Sequence, residues 1–85
     1  MHIVYSPHFA RRYKKLPRSV KLAAEQKERA FRKNPFDPAL RTHRLKGRLR
    51  GLWSFSINQE HRIVFEFAEG DTVYFHDAGD HRVYQ

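Results

Sequence analysis

The chain has 85 residues, 40% of them hydrophobic, no cysteine, and a formal net charge of +8. A chain of this length has interior for one small core, and without cysteine it has neither disulfides nor thiolate zinc sites. No apolar run reaches the roughly 18 residues of a membrane span, and MHIVY breaks into SPHFARRYKK without a signal-peptide pattern, so one cytoplasmic domain over residues 1–85, with no membrane partner, is expected.

Residues 1–5 are a short β run. Ser6-Pro7 reads as a helix start, with Ser6 able to accept a first-turn amide and Pro7 preset for the first helical position. Phe9, Tyr13 and Leu16 then form one apolar stripe, while Arg11, Arg12, Lys14 and Lys15 crowd the remaining surface. Leu16-Pro17 ends or kinks that helix. A second is expected from Arg18 to Lys33, burying Val20, Ala24 and Phe31 with Ala23 and Ala30 beside them, and Asn34-Pro35 stops it. Residues 36–39 are a loop, after which the apolar period changes from 3.6 to 2.

Residues 53–57 alternate, with Trp53, Phe55 and Ile57 on one face. Across a short turn, residues 61–68 place Ile63, Phe65 and Phe67 on the core side and Arg62, Val64 and Glu66 on the other. Residues 69–71 turn again, residues 72–76 complete a meander, and Val83-Tyr84 reads as a last short strand. The order implies an α+β fold, a small antiparallel β-sheet with two N-terminal helices packed on one face. The core is then Trp53, Phe55, Ile57, Ile63, Phe65 and Phe67, and Arg62 stands on an open face.

Charge is unevenly spread. Residues 1–50 carry fifteen Lys and Arg against three Asp and Glu, a net of +12, whereas residues 51–85 carry two against six, a net of −4. Such a patch concentrates polyanions, and eleven Arg against six Lys favours forked phosphate contacts. The residues able to carry chemistry are His43, Lys46, Arg48, Arg50, Arg62, His76, His81, Arg82 and Tyr84. His76 and His81 lack the converging partners that zinc requires, so no metal is expected. No cofactor is expected either, because GRLRG at 47–51 is too short for a phosphate-binding loop and lacks its Lys-Ser ending.

What remains fits metal-free cleavage of RNA, whose 2′-hydroxyl is its own nucleophile. The protein then supplies a proton acceptor, a proton donor and cations for the phosphate; histidine and arginine suit these roles. Each residue also has a plainer reading. His43 reads equally as an exposed loop histidine, Arg62 as the partner of Glu60 or Glu66, His76 as a structural histidine at a strand end, His81 as part of an ion-paired turn, and Tyr84 as the last core or edge aromatic. The residues alone stop at a basic α+β domain that touches nucleic acid.

Four stretches in order, IVYSPHFARRYKKLP, LKGRLRGLWS, HRIVF and GDHRVY, give the chain a close resemblance to the RelE/ParE superfamily of bacterial type II toxin–antitoxin toxins, and within it to the YafQ and YoeB branches. The resemblance implies a ribosome-dependent endoribonuclease that cuts mRNA by metal-independent 2′-hydroxyl attack. It also implies a cognate antitoxin that wraps the toxin; separately, the free toxin is expected to be monomeric. The alternatives are a DNA gyrase inhibitor on the same fold and a non-catalytic nucleic-acid-binding module. By resemblance His43 is the general base, Arg62 holds the phosphate, His81 is the general acid, and Tyr84 meets a substrate or ribosomal base. Arg11, Arg12, Lys14, Lys15, Lys46, Arg48, Arg50 and Arg82 are expected to form the RNA- and ribosome-binding surface. The terminal pattern departs from the usual Gly-Thr-His-Asp-x-x-Tyr: Asp80 is expected to favour protonated His81, and Arg82 to add phosphate affinity.

Overall fold

Local signals start and stop both helices. In the computed structural model, which describes residues 1–84, Ser6 Oγ accepts the Phe9 amide at 2.9 Å and Pro7 opens α1 (Pro7–Lys14). Helix α2 (Arg18–Lys33) starts after Pro17 and is capped by Asn34 in an extended conformation. Proline presets the first turn and asparagine leaves it readily, so neither boundary depends on distant contacts.

Five strands form one sheet: β1 (His2–Tyr5), β2 (His43–Arg44), β3 (Trp53–Ser56), β4 (Arg62–Ala68) and β5 (Thr72–Gly79), in the spatial order β1-β5-β4-β3-β2. The β3–β4–β5 pairings are antiparallel as expected, β2 adds an antiparallel edge beside β3, and β1 adds a parallel edge alongside β5. Strand β2 was not legible in the sequence: two residues are too few for a periodic pattern. Strand β5 runs past residue 76 to Gly79.

Phe31 from α2 is the centre of the core. It stacks on Phe55 at 4.8 Å between centroids and meets Phe65 and Phe75 edge-on at 4.9 and 5.7 Å. From α1, Phe9 packs edge-on against Phe75 at 5.4 Å. The helices therefore cover the face that bears Phe55, Ile57, Ile63 and Phe65, all buried. Two expected core residues differ. Trp53 and Phe67 are only half-buried, because what covers them is Phe36, itself 56% exposed, rather than a helix. Leu40, in the 3-10 turn Pro38–Leu40, is fully buried instead.

The other face is not simply open. Val83 and Tyr84 form no strand: His81–Tyr84 is a 3-10 turn that folds back onto β4 and β5. Val64 and Val83, both buried, lie outside the main core cluster. Asp80 sets this turn, its carbonyl accepting the Val83 amide at 3.0 Å and its carboxylate the Arg82 amide at 3.0 Å. A carboxylate bonding an amide two residues on is the chemistry of a turn, and it outweighs the β preference of Val-Tyr.

Candidate active site

The site begins with a change of register. Val64 pairs with Asp77 but Phe65 with Phe75, so His76 is an extra residue on β5. Strict alternation from Val73 and Phe75 would drive Asp77 and Gly79 into the core. The bulge turns Ala78 inward instead and brings Asp77 and Gly79 to the second face, as bulges re-aim side chains. One row across that face is then His43, Ser54, Val64 and Asp77, and the next is Ser56, Arg62 and Gly79.

Onto these rows the terminal turn lowers Tyr84, whose hydroxyl lies 2.8 Å from Ser54 Oγ. Ser54 is fully buried, so that bond satisfies a hydroxyl cut off from water. Tyr84→Phe leaves it unpaired and is expected to cost about 1–3 kcal/mol, with Ser54→Ala in the same chain restoring most of the loss. Urea unfolding of the two variants checks this; a Tyr84→Phe as stable as wild type would show that the bond holds nothing.

Arg62, His81 and Tyr84 line one cavity of about 380 Å³, together with Gln59, Glu60 and Asp80. Arg62 does not pair with Glu60 or Glu66. Its Nη1 donates to the carbonyls of Asn58 and His61, while Glu66 is taken by His76 at 2.8 Å. Among the described residues its Nη2 and Nε donate to nothing, so the guanidinium is braced on one edge and available on the other. His76 stands apart from the cavity, as its plainer reading implied.

His43 is not in this group. It is exposed, with Nδ1 3.0 Å from the Arg41 carbonyl, and it borders a neighbouring cavity with Lys46 that shares only Tyr84 with the first. Asp80 has a partner of its own. Its carboxylate is held by the Arg82 guanidinium, at 2.9 Å from Nε and 2.8 Å from Nη2. Those side-chain bonds, and then the Arg82 amide, hold the Asp80 carboxyl well below the usual carboxylate range. Arg82 is correspondingly tied down rather than freely offered to phosphate.

Of the remaining basic residues, Arg11, Lys14, Lys15, Lys46, Arg48 and Arg50 are exposed, and Arg12 is partly covered. Sequence reading missed Glu60 as a cavity residue and Ser54 as the seat of Tyr84. A serine alternating with core aromatics, opposite a terminal tyrosine, was the available signal for the second. Among the described residues no three His, Cys, Asp or Glu gather as metal ligands, and no helix is long and apolar enough to cross a membrane.

Residues 7–82 match the family model described as the YoeB-like toxin of bacterial type II toxin-antitoxin systems. A stretch of 45 residues is 40% identical to Toxin YoeB of Synechocystis sp., covering 53% of this chain and 52% of that protein; the match thus spans about half the length of the relative. A YoeB/ParE toxin from Agrobacterium tumefaciens has the same fold, with a TM-score of 0.79 at 22% identity over 95% of this chain and 99% of that one. So does a toxin chain in the YoeB-YefM complex from Staphylococcus aureus, with a TM-score of 0.76 at 21% identity over 95% and 97%.

Proposed function

The chain belongs to the YoeB-like toxins of bacterial type II toxin–antitoxin systems, and from that premise we propose that it is a ribosome-dependent endoribonuclease that cleaves messenger RNA. The observation that carries this reading is the single cavity bordered by Arg62, His81 and Tyr84. The substrate's 2′-oxygen attacks the adjacent phosphorus, a 2′,3′-cyclic phosphate forms, and the bond to the 5′-oxygen breaks. One proton leaves the 2′-hydroxyl and one reaches the departing 5′-oxygen. Nothing in that balance calls for a metal.

Arg62 offers its unbonded edge to the phosphate, where charge builds as the fifth oxygen closes in. His81 delivers the proton to the 5′-oxygen, and Tyr84 stacks on a base beside it. His43 takes the 2′-proton, which requires the RNA to cross Tyr84 from one cavity to the other. The partners are the ribosome with its message and an acidic antitoxin. A +8 chain attracts such a segment, which folds as it binds, and the YefM-bound relative supports that pairing.

The test is cleavage of a short message on programmed ribosomes with EDTA present. Wild type is expected to cut it, and Arg62→Ala to cut ~10²–10³ more slowly, the loss usual for one transition-state donor. Folded wild type that leaves the message whole, or that blocks gyrase supercoiling instead, overturns the reading.

A further inference from the structure

A second cavity, of about 400 Å³, adjoins the first: Asp80 borders both, and Arg12, Lys15, His61, Gly79 and Arg82 line the second. Resting on the nuclease reading, we infer that this cavity is a phosphate subsite for the single-stranded RNA next to the cleaved bond, with Arg12 as its ligand and Gly79 as the seat of Arg12.

Gly79 carries the inference. Its φ is not in the left-handed region, so the backbone does not require glycine there. What glycine supplies is space: a Cβ at this position would lie 2.7 Å from Arg12 Nη2. Gly79 ends β5, where glycine also permits a close approach, and here the approaching group is a guanidinium from another element. Asp77 orients it, with Oδ1 3.5 Å from Arg12 Nε and 3.4 Å from His8 Nε2. Asp77 reaches this face only because of the bulge at His76.

Gly79 is also the cross-strand partner of Arg62. Arg12 therefore fills the slot that a side chain at 79 would occupy, next to Arg62 in the same row. Directly opposed positions in antiparallel strands are about 5 Å apart at Cβ, so two guanidinium groups serve two adjoining cavities. In the second cavity Arg82 and Asp80 neutralise one another and Asp77 pairs with Arg12 Nε, which leaves Lys15 and the Nη2 edge of Arg12, turned towards Gly79, as the groups open to a phosphate. The first cavity sets Arg62 among Glu60 and Asp80 beside an aromatic ring, and the second is the more basic, with Arg12, Lys15 and Arg82 against Asp80. A basic pocket adjoining an aromatic-bordered one suits the neighbouring phosphate of one unpaired strand.

The test uses the full chain and a fluorescent RNA octamer with 2′-O-methyl groups, which cannot be cut. Binding is followed by anisotropy across a salt series, with thermal unfolding of every variant alongside. Arg12→Ala is expected to weaken binding severalfold and to reduce the slope of log affinity against log salt by about 0.7, the value of one phosphate on a single strand. Gly79→Ala keeps every charge and shifts only the flexible end of Arg12, so it is expected to weaken binding measurably but less than Arg12→Ala, and to add nothing in the Arg12→Ala background. Because its methyl also meets Val83 Cγ1 at 3.1 Å, Arg12→Ala decides alone if Gly79→Ala does not fold. Unchanged affinity and slope for Arg12→Ala overturn the subsite; a folded Gly79→Ala that binds like wild type overturns the seat. Wild type that binds the octamer through Arg12 but cuts no ribosome-bound message overturns the nuclease reading and leaves the subsite standing.

Discussion

His81→Gln is expected to slow single-turnover cleavage of a ribosome-bound message by ~10²–10⁴, the usual weight of a general acid. The fold should survive. His81 is exposed at the start of the terminal turn, and the turn is held by its neighbours: Asp80 by the Arg82 guanidinium, Val83 by burial, Tyr84 by Ser54. Glutamine keeps a polar side chain that donates hydrogen bonds but cannot release a proton near neutral pH. Message binding should persist as well, since Arg62 and the basic helices are untouched. Saturating enzyme isolates the chemical step from binding. A rate within about threefold of wild type would remove His81 from the mechanism and pass the acid role to another group in the cavity or to the ribosome.

Phe31→Ala is expected to destabilise the chain by ~3–5 kcal/mol, as large-to-small changes at buried aromatics do. Phe31 is fully buried and touches three other phenylalanine rings, one from each of β3, β4 and β5. Its removal takes away the contact of α2 with all three of those rings. Native domains have only about 5–15 kcal/mol to lose, and small ones sit towards the lower end. The melting temperature should fall by roughly 12–40 °C, and cleavage should be lost with the fold rather than through the site. Urea or thermal unfolding followed by circular dichroism measures it. A loss under about 1 kcal/mol would mean that the core is not centred on this ring.

Both helices were legible because their boundaries are local. Ser6-Pro7 and Asn34-Pro35 act through the backbone of adjacent residues, and the stripe of Val20, Ala24 and Phe31 reports one buried face whatever lies against it. Strands β3 and β4 were legible because alternation over four or more residues is a period. The C-terminal stretch was misread for the same reason. Val83-Tyr84 has the composition of a strand, while the feature that overrides it is a single carboxylate at Asp80 capping its own turn. Gly79-Asp80 ahead of it is turn chemistry that the alternating pattern obscured.

By itself, the sequence determined the fold class, the family resemblance and the presence of Arg62, His81 and Tyr84 as candidates, since these rest on residue types, short-range periods and motif order. The tertiary structure decided which of them meet. Arg62 and His81 share a cavity because a short turn doubles back over β4, and His43 lies on the far side of Tyr84 because β2 is the outermost strand on its edge of the sheet. Arg12 reaches the row of Arg62 because one extra residue in β5 reverses the facing of Asp77 and Gly79. A bulge displaces every later side chain to the opposite face while leaving composition unchanged, and so its consequences become visible only in the paired sheet.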